Sequence, residues 1–449
     1  MIHRCFSFAF VLLSAAVFIS IPPAAHAQRP LITTIYSADP SAHVWPGSDR
    51  LWVYGSHDAP GTNTHDTMAD YHVFSTDDMV NWIDHGRVLS VDDVPWAISH
   101  AWAIDAVLWK GSYYLVYCMK EKGSGAFRTG LATSKFPQGP FKDIGPIKGV
   151  DWGQDPALFV DDDGQPYLFW GCGGGCSGAK LSDDLLSVIP GSVVNLKPQL
   201  DCVFEGPYVH KYKGKYYLSY PGLTGGKWPE EMYYAVADKP LGPYKSMGKY
   251  IPQFPGQAGT NHGSIVEYKG QWYAFHHSME MSKGKSECRN LLADKLSYNE
   301  DGSIRPIVPD KGGVTGKLSK TTIWLEAENA SMQGGRLSGT EVEAVHPGFS
   351  GPGYVGGFDK ACESVKFLAQ TGNHTKFRLK IGYAAPAGDQ ENNVLVNYRM
   401  IPDVKFPKSE KFTEVDLGVV ELRDGDNYVS VIRKTGGILL DYIKLEQEP

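Results

Sequence analysis

The sequence predicts an all-β protein, a five-bladed β-propeller followed by a β-sandwich. Three observations carry this reading. An aromatic strand phrase recurs five times at intervals of roughly 50 to 60 residues, the period of a propeller blade rather than of a helical solenoid. Amphipathic helical periodicity is nearly absent, and 50 Gly, 24 Tyr and 11 Trp among 449 residues suit short strands joined by tight turns. Beyond Thr322 the phrase stops and a different alternating pattern begins.

Taken in order, the chain starts with a positive His3-Arg4, an apolar run from Phe6 to Ile21 and a small-x-small site at Ala25-His26-Ala27. This is the pattern of a secretory signal, expected to span residues 1–27. The run ends at Pro22-Pro23 and no other long apolar segment follows, so the mature chain is expected to be secreted or periplasmic, without a membrane anchor. Cys5 would leave with the signal. Cys118, Cys172, Cys176, Cys202, Cys288 and Cys362 remain, and an oxidising compartment permits disulfides whose connectivity the sequence does not give. Cys172 and Cys176 lack the second pair of a zinc site, which leaves a loop disulfide or free buried thiols.

The propeller is expected over residues 28–315. Its aromatic strands are Leu51 to Gly55, Tyr113 to Tyr117, Pro166 to Trp170, Tyr216 to Tyr220 and Trp272 to His276. Each follows a turn signal: Gly47-Ser48-Asp49, Lys110-Gly111, Asp163-Gly164, Lys213-Gly214 and Lys269-Gly270. A polar Lys/Gly/Ser/Thr stretch, Lys311 to Thr322, marks the boundary. The sandwich is expected over residues 323–449, with strand-like segments such as Lys376 to Ile381, Asn393 to Asn397 and Tyr428 to Ile432.

One register relates the first strands of the five blades. It places Asp39, Asp105, Asp155, Glu205 and His262 at equivalent positions. The innermost strands of a propeller line its axis, so these five polar side chains are predicted to converge on one point. Any one of them alone fits a strand-start turn. Four carboxylates together crowd like charges and raise some of their pKa values. That suits glycoside hydrolysis, where one carboxylic acid stays protonated for the leaving oxygen while an ionised one activates water. The formal net charge of −7, without a dense Lys/Arg cluster, argues against nucleic acid or anionic membrane as partner.

Ala38-Asp39-Pro40, Gln154-Asp155-Pro156 with Asp161-Asp162-Asp163-Gly164 after it, and Glu205-Gly206-Pro207 resemble glycoside hydrolase family 43. The resemblance implies an inverting enzyme acting on arabinose- or xylose-containing plant polysaccharides. It makes Asp39 the general base, Glu205 the general acid, and Asp155 the residue that raises the acid's pKa and orients it. Asp105 would be a fourth, substrate-contacting member, although Ile104 stands where the family usually has Pro. Trp102 is a candidate apolar wall for the sugar, and Arg289 matches the family Arg that reaches sugar hydroxyls. His262 resembles a channel His that holds a calcium or its water shell.

Glu326-Ala327-Glu328, Gly348 to Tyr354 and Leu440-Asp441-Tyr442-Ile443 resemble carbohydrate-binding modules of families 6 and 35. Glu326 and Glu328, two apart on a strand, face the same side and with Asp441 could form a structural calcium site. Calcium is thus the expected cofactor, in the channel, the sandwich or both. The expected partner is cell-wall polysaccharide or oligosaccharide, met by a monomer. The leading expectation is release of α-L-arabinofuranosyl units from arabinoxylan or a related hemicellulose. A β-xylosidase or bifunctional enzyme is the alternative, and a non-catalytic polysaccharide-binding protein is a further one. Fructan-cleaving propellers carry motifs that are missing here.

Overall fold

The structure, a computed structural model, describes residues 30–309, 313–333, 336–338, 345–372 and 375–448. The expected signal segment lies outside the described residues.

Five antiparallel sheets follow one another along the first part of the chain. Blade I comprises Tyr36–Val44, Leu51–Asp58, Asp70–Thr76 and Asn81–Ser90. Blade II is built on Ile104–Trp109, Ser112–Glu121, Phe127–Ser134 and Lys142–Pro146, with the short Ala97–Ser99 added beside its second strand. Blade III runs from Ala157–Val160 to Val194–Asn195, blade IV from Tyr208–Tyr212 to Lys245–Ile251, and blade V from Ser264–Tyr268 to Asn290–Leu296. Each blade opens with a hairpin whose turn carries a left-handed Gly, as at Gly111, Gly164, Gly214 and Gly270, because these tight turns need a positive φ.

The ring closes through packing. The five first strands touch in sequence, and the first strand of blade V touches that of blade I. Five separate apolar clusters fill the five gaps between neighbouring blades. Tyr71, Leu115 and Tyr117 lie between blades I and II, and Val116, Leu168 and Leu181 between II and III. Phe169, Leu218 and Tyr220 fill the next gap, and Tyr234, Tyr250 and Ile265 the one after. The last gap, from V back to I, holds Ile35, Val53, Phe74 and Phe275. Each blade therefore buries both faces against its neighbours, which is why its strands are apolar on both sides instead of alternating. Blade V has three strands, and the segment entering blade I joins it: Leu31 N–H donates to Leu291 O (2.9 Å) and Ser37 N–H to Arg289 O (3.0 Å).

The sandwich packs two sheets around a core that includes Phe367, Phe377, Ile381, Val394, Val431 and Ile443. Its first strand, Lys320–Glu326, pairs in parallel with the last strand of blade I, Lys320 opposite Asn81 through Ile323 opposite Asp84. One hydrogen-bonded sheet thus runs from the propeller axis into the second domain. A buried polar network seals the junction: His72 Nδ1 meets Asp84 (2.9 Å), His72 Nε2 meets Gln370 Oε1 (2.8 Å), and Gln370 Nε2 donates to Asp70 (3.1 Å).

All six described cysteines are free thiols.

Candidate active site

The heads of the blades are not regular strand. Asp39 sits where the ladder of blade I slips between Ala38 and Ser41, with φ +53°. Asp155, with φ +46°, and Glu205 precede the first paired residues of their blades. These departures turn the carboxylates out of the sheets and towards the axis. Gly206 shows how tight that point is. Its φ is +52°, and a Cβ there would stand 2.9 Å from the His262 ring.

A cavity of about 230 Å³ opens at this end of the axis, lined among others by Asp39, Trp102, Asp155, Glu205, His262 and Arg289. It is smaller than most ligand pockets, a size for one sugar unit. Asp39 is buried, and Arg289 Nη1 donates to its Oδ1 at 3.1 Å. Arg289 is itself fixed by a fork onto Asp58, with Nε and Nη2 each 2.9 Å from a carboxylate oxygen. Burial alone would raise the Asp39 pKa. The Arg289 charge, the nearby His277 and His262 rings and the Ser56 hydroxyl outweigh it and hold Asp39 well below the usual carboxylate range. His277 accepts the Asp39 backbone N–H at Nδ1 (3.3 Å) and contacts Thr260 O through Nε2 (2.9 Å), the pattern of a neutral ring. Burial pushes its pKa down in agreement.

Glu205 behaves in the opposite way. Burial raises its pKa well above the ordinary value, and the nearby Glu230 carboxylate raises it further. The Cys172 thiol donates to Glu205 Oε2 at 3.3 Å and offsets part of this. Asp155 is raised too, by burial first and then by Glu205 and Asp39. One pocket therefore sets a carboxyl whose surroundings favour the ionised form, on blade I, against one whose surroundings favour the protonated form, on blade IV. Such a pair can deprotonate a water on one side of a sugar and protonate a leaving oxygen on the other.

The pocket brings together Asp39, Asp155, Glu205, Trp102, His262 and Arg289. Arg289 is chiefly occupied in holding Asp39. Asp105 departs from expectation and is corrected here: it does not reach substrate space. It lies within a regular strand pair, opposite Val116, and is 1% exposed. Ser41 donates to its Oδ1, His43 Nε2 lies 2.9 Å from the same oxygen, and Oδ2 accepts the Leu158 N–H at 2.7 Å. Asp105 stitches blades I, II and III together beneath the pocket. Motif reading does not reach Glu230, because it stands just before the third strand of blade IV and not at the head of the first. The acidic pair Glu230-Glu231 after Trp228-Pro229 was the available signal.

Two places were expected to hold calcium. Around His262 the nearest carboxylate oxygen is Asp39 Oδ1, 3.8 Å away and already paired with Arg289. With one nitrogen and one engaged carboxylate from the protein, a hard cation here would have to take most of its oxygen ligands from water. In the sandwich the fit is good. Glu326, Glu328 and Asp441 crowd together, and burial with mutual repulsion pushes them up to about 7, 9 and 7. Both Glu328 carboxylate oxygens are buried with no hydrogen-bond partner among the described residues. Ser350 donates to Glu326 and Asp441.

A carboxyl-lined pocket on a propeller axis, joined to a sandwich, defines a carbohydrate-active hydrolase. The chain belongs to glycoside hydrolase family 43: residues 30–304 match Glycosyl hydrolases family 43, and residues 325–448 match Carbohydrate binding module (family 35). It is 38% identical over 334 residues to Xylosidase/arabinosidase 43A of Humicola insolens, covering 62% of this chain and 98% of that one. An Arabinoxylan arabinofuranohydrolase of Paenibacillus polymyxa is 29% identical, covering 72% of this chain and 60% of its own length. Among solved structures, a family 43 β-xylosidase/α-arabinofuranosidase from a compost metagenome, in complex with xylotriose and described as a calcium-free form, matches with TM-score 0.57 and 34% identity. That match covers 63% of this chain and 97% of that one. The arabinoxylan arabinofuranohydrolase of Bacillus subtilis covers 94% of this chain and 98% of its own at TM-score 0.58 and 24% identity, a likeness of the two-domain fold. The protein is a hemicellulose-degrading glycoside hydrolase of the inverting type.

Proposed function

We propose that the enzyme releases α-L-arabinofuranosyl units from arabinoxylan or a related hemicellulose. Asp39 acts as general base, Glu205 as general acid, and Asp155 helps keep the acid protonated. The observation that carries this is the opposite setting of Asp39 and Glu205 in one small pocket, the first paired with Arg289 and the second buried beside other carboxyls. Water enters on the Asp39 side and its oxygen attacks the anomeric carbon as Asp39 takes a proton. The glycosidic C–O bond breaks, and Glu205 protonates the departing oxygen. Arg289 keeps Asp39 ionised, and Trp102 offers an apolar face to the sugar ring. The small pocket favours one terminal or branching unit, hence exo action. Trp152 and Trp228 are 61% and 53% exposed, and rings lead to them from Trp102 through Phe127 and from Phe204, giving platforms for the rest of a polymer.

β-Xylosidase activity is the second reading, supported by relatives described as xylosidase/arabinosidase. Hydrolysis of nitrophenyl arabinofuranoside, xyloside and galactoside, followed on arabinoxylan and arabinan, separates the readings. Arabinofuranoside cleavage at least tenfold faster than xyloside supports the first, and the reverse order replaces it with the second. In the sandwich, Glu326, Glu328 and Asp441 would hold a calcium that neutralises their crowded charge. Export by the N-terminal segment fits a polymeric substrate outside the cell.

A further inference from the structure

Behind Glu205 lies a carboxyl to which neither the sequence motifs nor the resemblance gives a role. Glu230 is fully buried immediately before the third strand of blade IV, Glu231–Ala237. Its backbone N–H donates to Gly259 O (3.0 Å), and its carbonyl accepts the Gln257 side-chain amide. Its Oε2 accepts the Asn261 N–H at 2.7 Å. Three bonds thus fix it to the segment that carries His262. Its Oε1 is buried with no donor among the described residues except the facing carboxyl of Glu205.

An ionised carboxylate with an orphan oxygen in a dry site is costly, and a proton on that oxygen, donated to the facing Glu205 carboxyl, relieves it. The surrounding groups leave no other remedy. Asp155 from blade III and Asp39 from blade I add negative charge, and Arg289 from blade V is committed to Asp58 and Asp39. The Cys172 thiol points at Glu205 Oε2, and burial keeps His262 neutral.

We propose that Glu230 is a positioning residue whose protonated carboxyl hydrogen-bonds to Glu205, fixing the acid's orientation while Glu205 keeps a proton of its own for the leaving oxygen. This rests on the reading of Glu205 as the acid. When the glycosidic bond breaks, the departing oxygen keeps the bonding electron pair and accepts the Glu205 proton. Glu230 then hydrogen-bonds to the new Glu205 carboxylate with its own proton, and solvent reprotonates Glu205 after product leaves. Burial, with the Asp155 and Asp39 charges, pushes Glu230 up to about 8, so it holds that proton at neutral pH. As pH rises further, the Glu230 charge delays ionisation of Glu205.

The test is the pH dependence of kcat/KM for Glu230→Gln and Glu230→Asp on an oligosaccharide and on a dinitrophenyl glycoside, whose leaving group requires little acid assistance. For Glu230→Gln the basic limb on the oligosaccharide should move acidward by about one pH unit or more. The rate loss should be much smaller on the dinitrophenyl substrate, and Glu230→Asp should restore part of the shift. In the unsubstituted enzyme the infrared band of protonated carboxyls should persist at neutral pH and lose intensity in Glu230→Gln. An unmoved basic limb, or equal losses on both substrates, overturns the proposal. If Glu230→Gln does not fold, absence of the protonated-carboxyl band in the unsubstituted enzyme does so. Failure of the unsubstituted enzyme to cleave any pentosyl glycoside would instead overturn the reading of the pocket.

Discussion

Asp39 and Asp105 occupy the same register in neighbouring blades, yet one lines the pocket and the other is walled off beneath it. The difference is local backbone. Asp39 stands at a slipped ladder with positive φ, whereas Asp105 keeps its place opposite Val116 and points into donors from blades I and III. The sequence spacing brings both to the axis but does not reveal which of them leaves the pleat. Ile104 in place of the usual Pro was the visible hint. Replacing Asp105 with Asn turns an amide towards groups that already donate, and should destabilise the protein by about 1–3 kcal/mol. KM should stay close to its original value. Denaturant unfolding and steady-state kinetics check this, and a large rise in KM would return Asp105 to the substrate. Glu230 was illegible for a related reason: it reaches the acid from the loop that enters the third strand, a contact that no periodicity along the first strands encodes.

Among the elements, Glu326 and Glu328 were legible as a cluster from their nearness in sequence, but not through a shared strand face: the strand ends at Glu326, and Glu328 stands in the 3-10 turn Ala327–Asn329. The cluster's third member, Asp441, lies over a hundred residues away and was joined to it only by resemblance. The three carboxyls have folded pKa values of about 7, 9 and 7, above the usual unfolded values. The contribution of their protonated forms to stability is therefore fully present below the unfolded values and is lost as pH rises through 7 to 9. In chelator the melting temperature of the sandwich should fall from the unfolded values near pH 4 up to about pH 9, most steeply below 7, and added calcium should reverse the fall by several degrees. Glu328→Gln should flatten the pH dependence and weaken the calcium response. Calorimetry with and without calcium reads both effects, and a calcium-insensitive transition would contradict the site.

At the scale of the whole molecule, the blade count and the change from propeller to sandwich were legible, because repeated turn signals and a change of pattern are local features. The parallel pairing of Lys320–Glu326 with blade I was not, since strand pairing across domains leaves no local mark. That pairing and the Gln370 contacts make the sandwich a continuation of the propeller. Gln370→Ala leaves Asp70 Oδ2 and His72 Nε2 short of a partner inside the junction, a loss of about 1–3 kcal/mol. Calorimetry should show a single transition in the unsubstituted chain becoming two partly separated ones in the variant. An unchanged single transition would mean that the domains do not communicate through this contact.

The claim on which these scales meet is that Glu205 delivers the proton that breaks the glycosidic bond. Its most direct test is Glu205→Gln, assayed on an arabino- or xylo-oligosaccharide and on the matching dinitrophenyl glycoside. The account predicts a loss of about 10²–10⁴ in kcat on the oligosaccharide, disappearance of the basic limb of the pH profile, and a far smaller loss on the dinitrophenyl substrate. Oligosaccharide cleavage at the original rate, with substrate still bound, would contradict it.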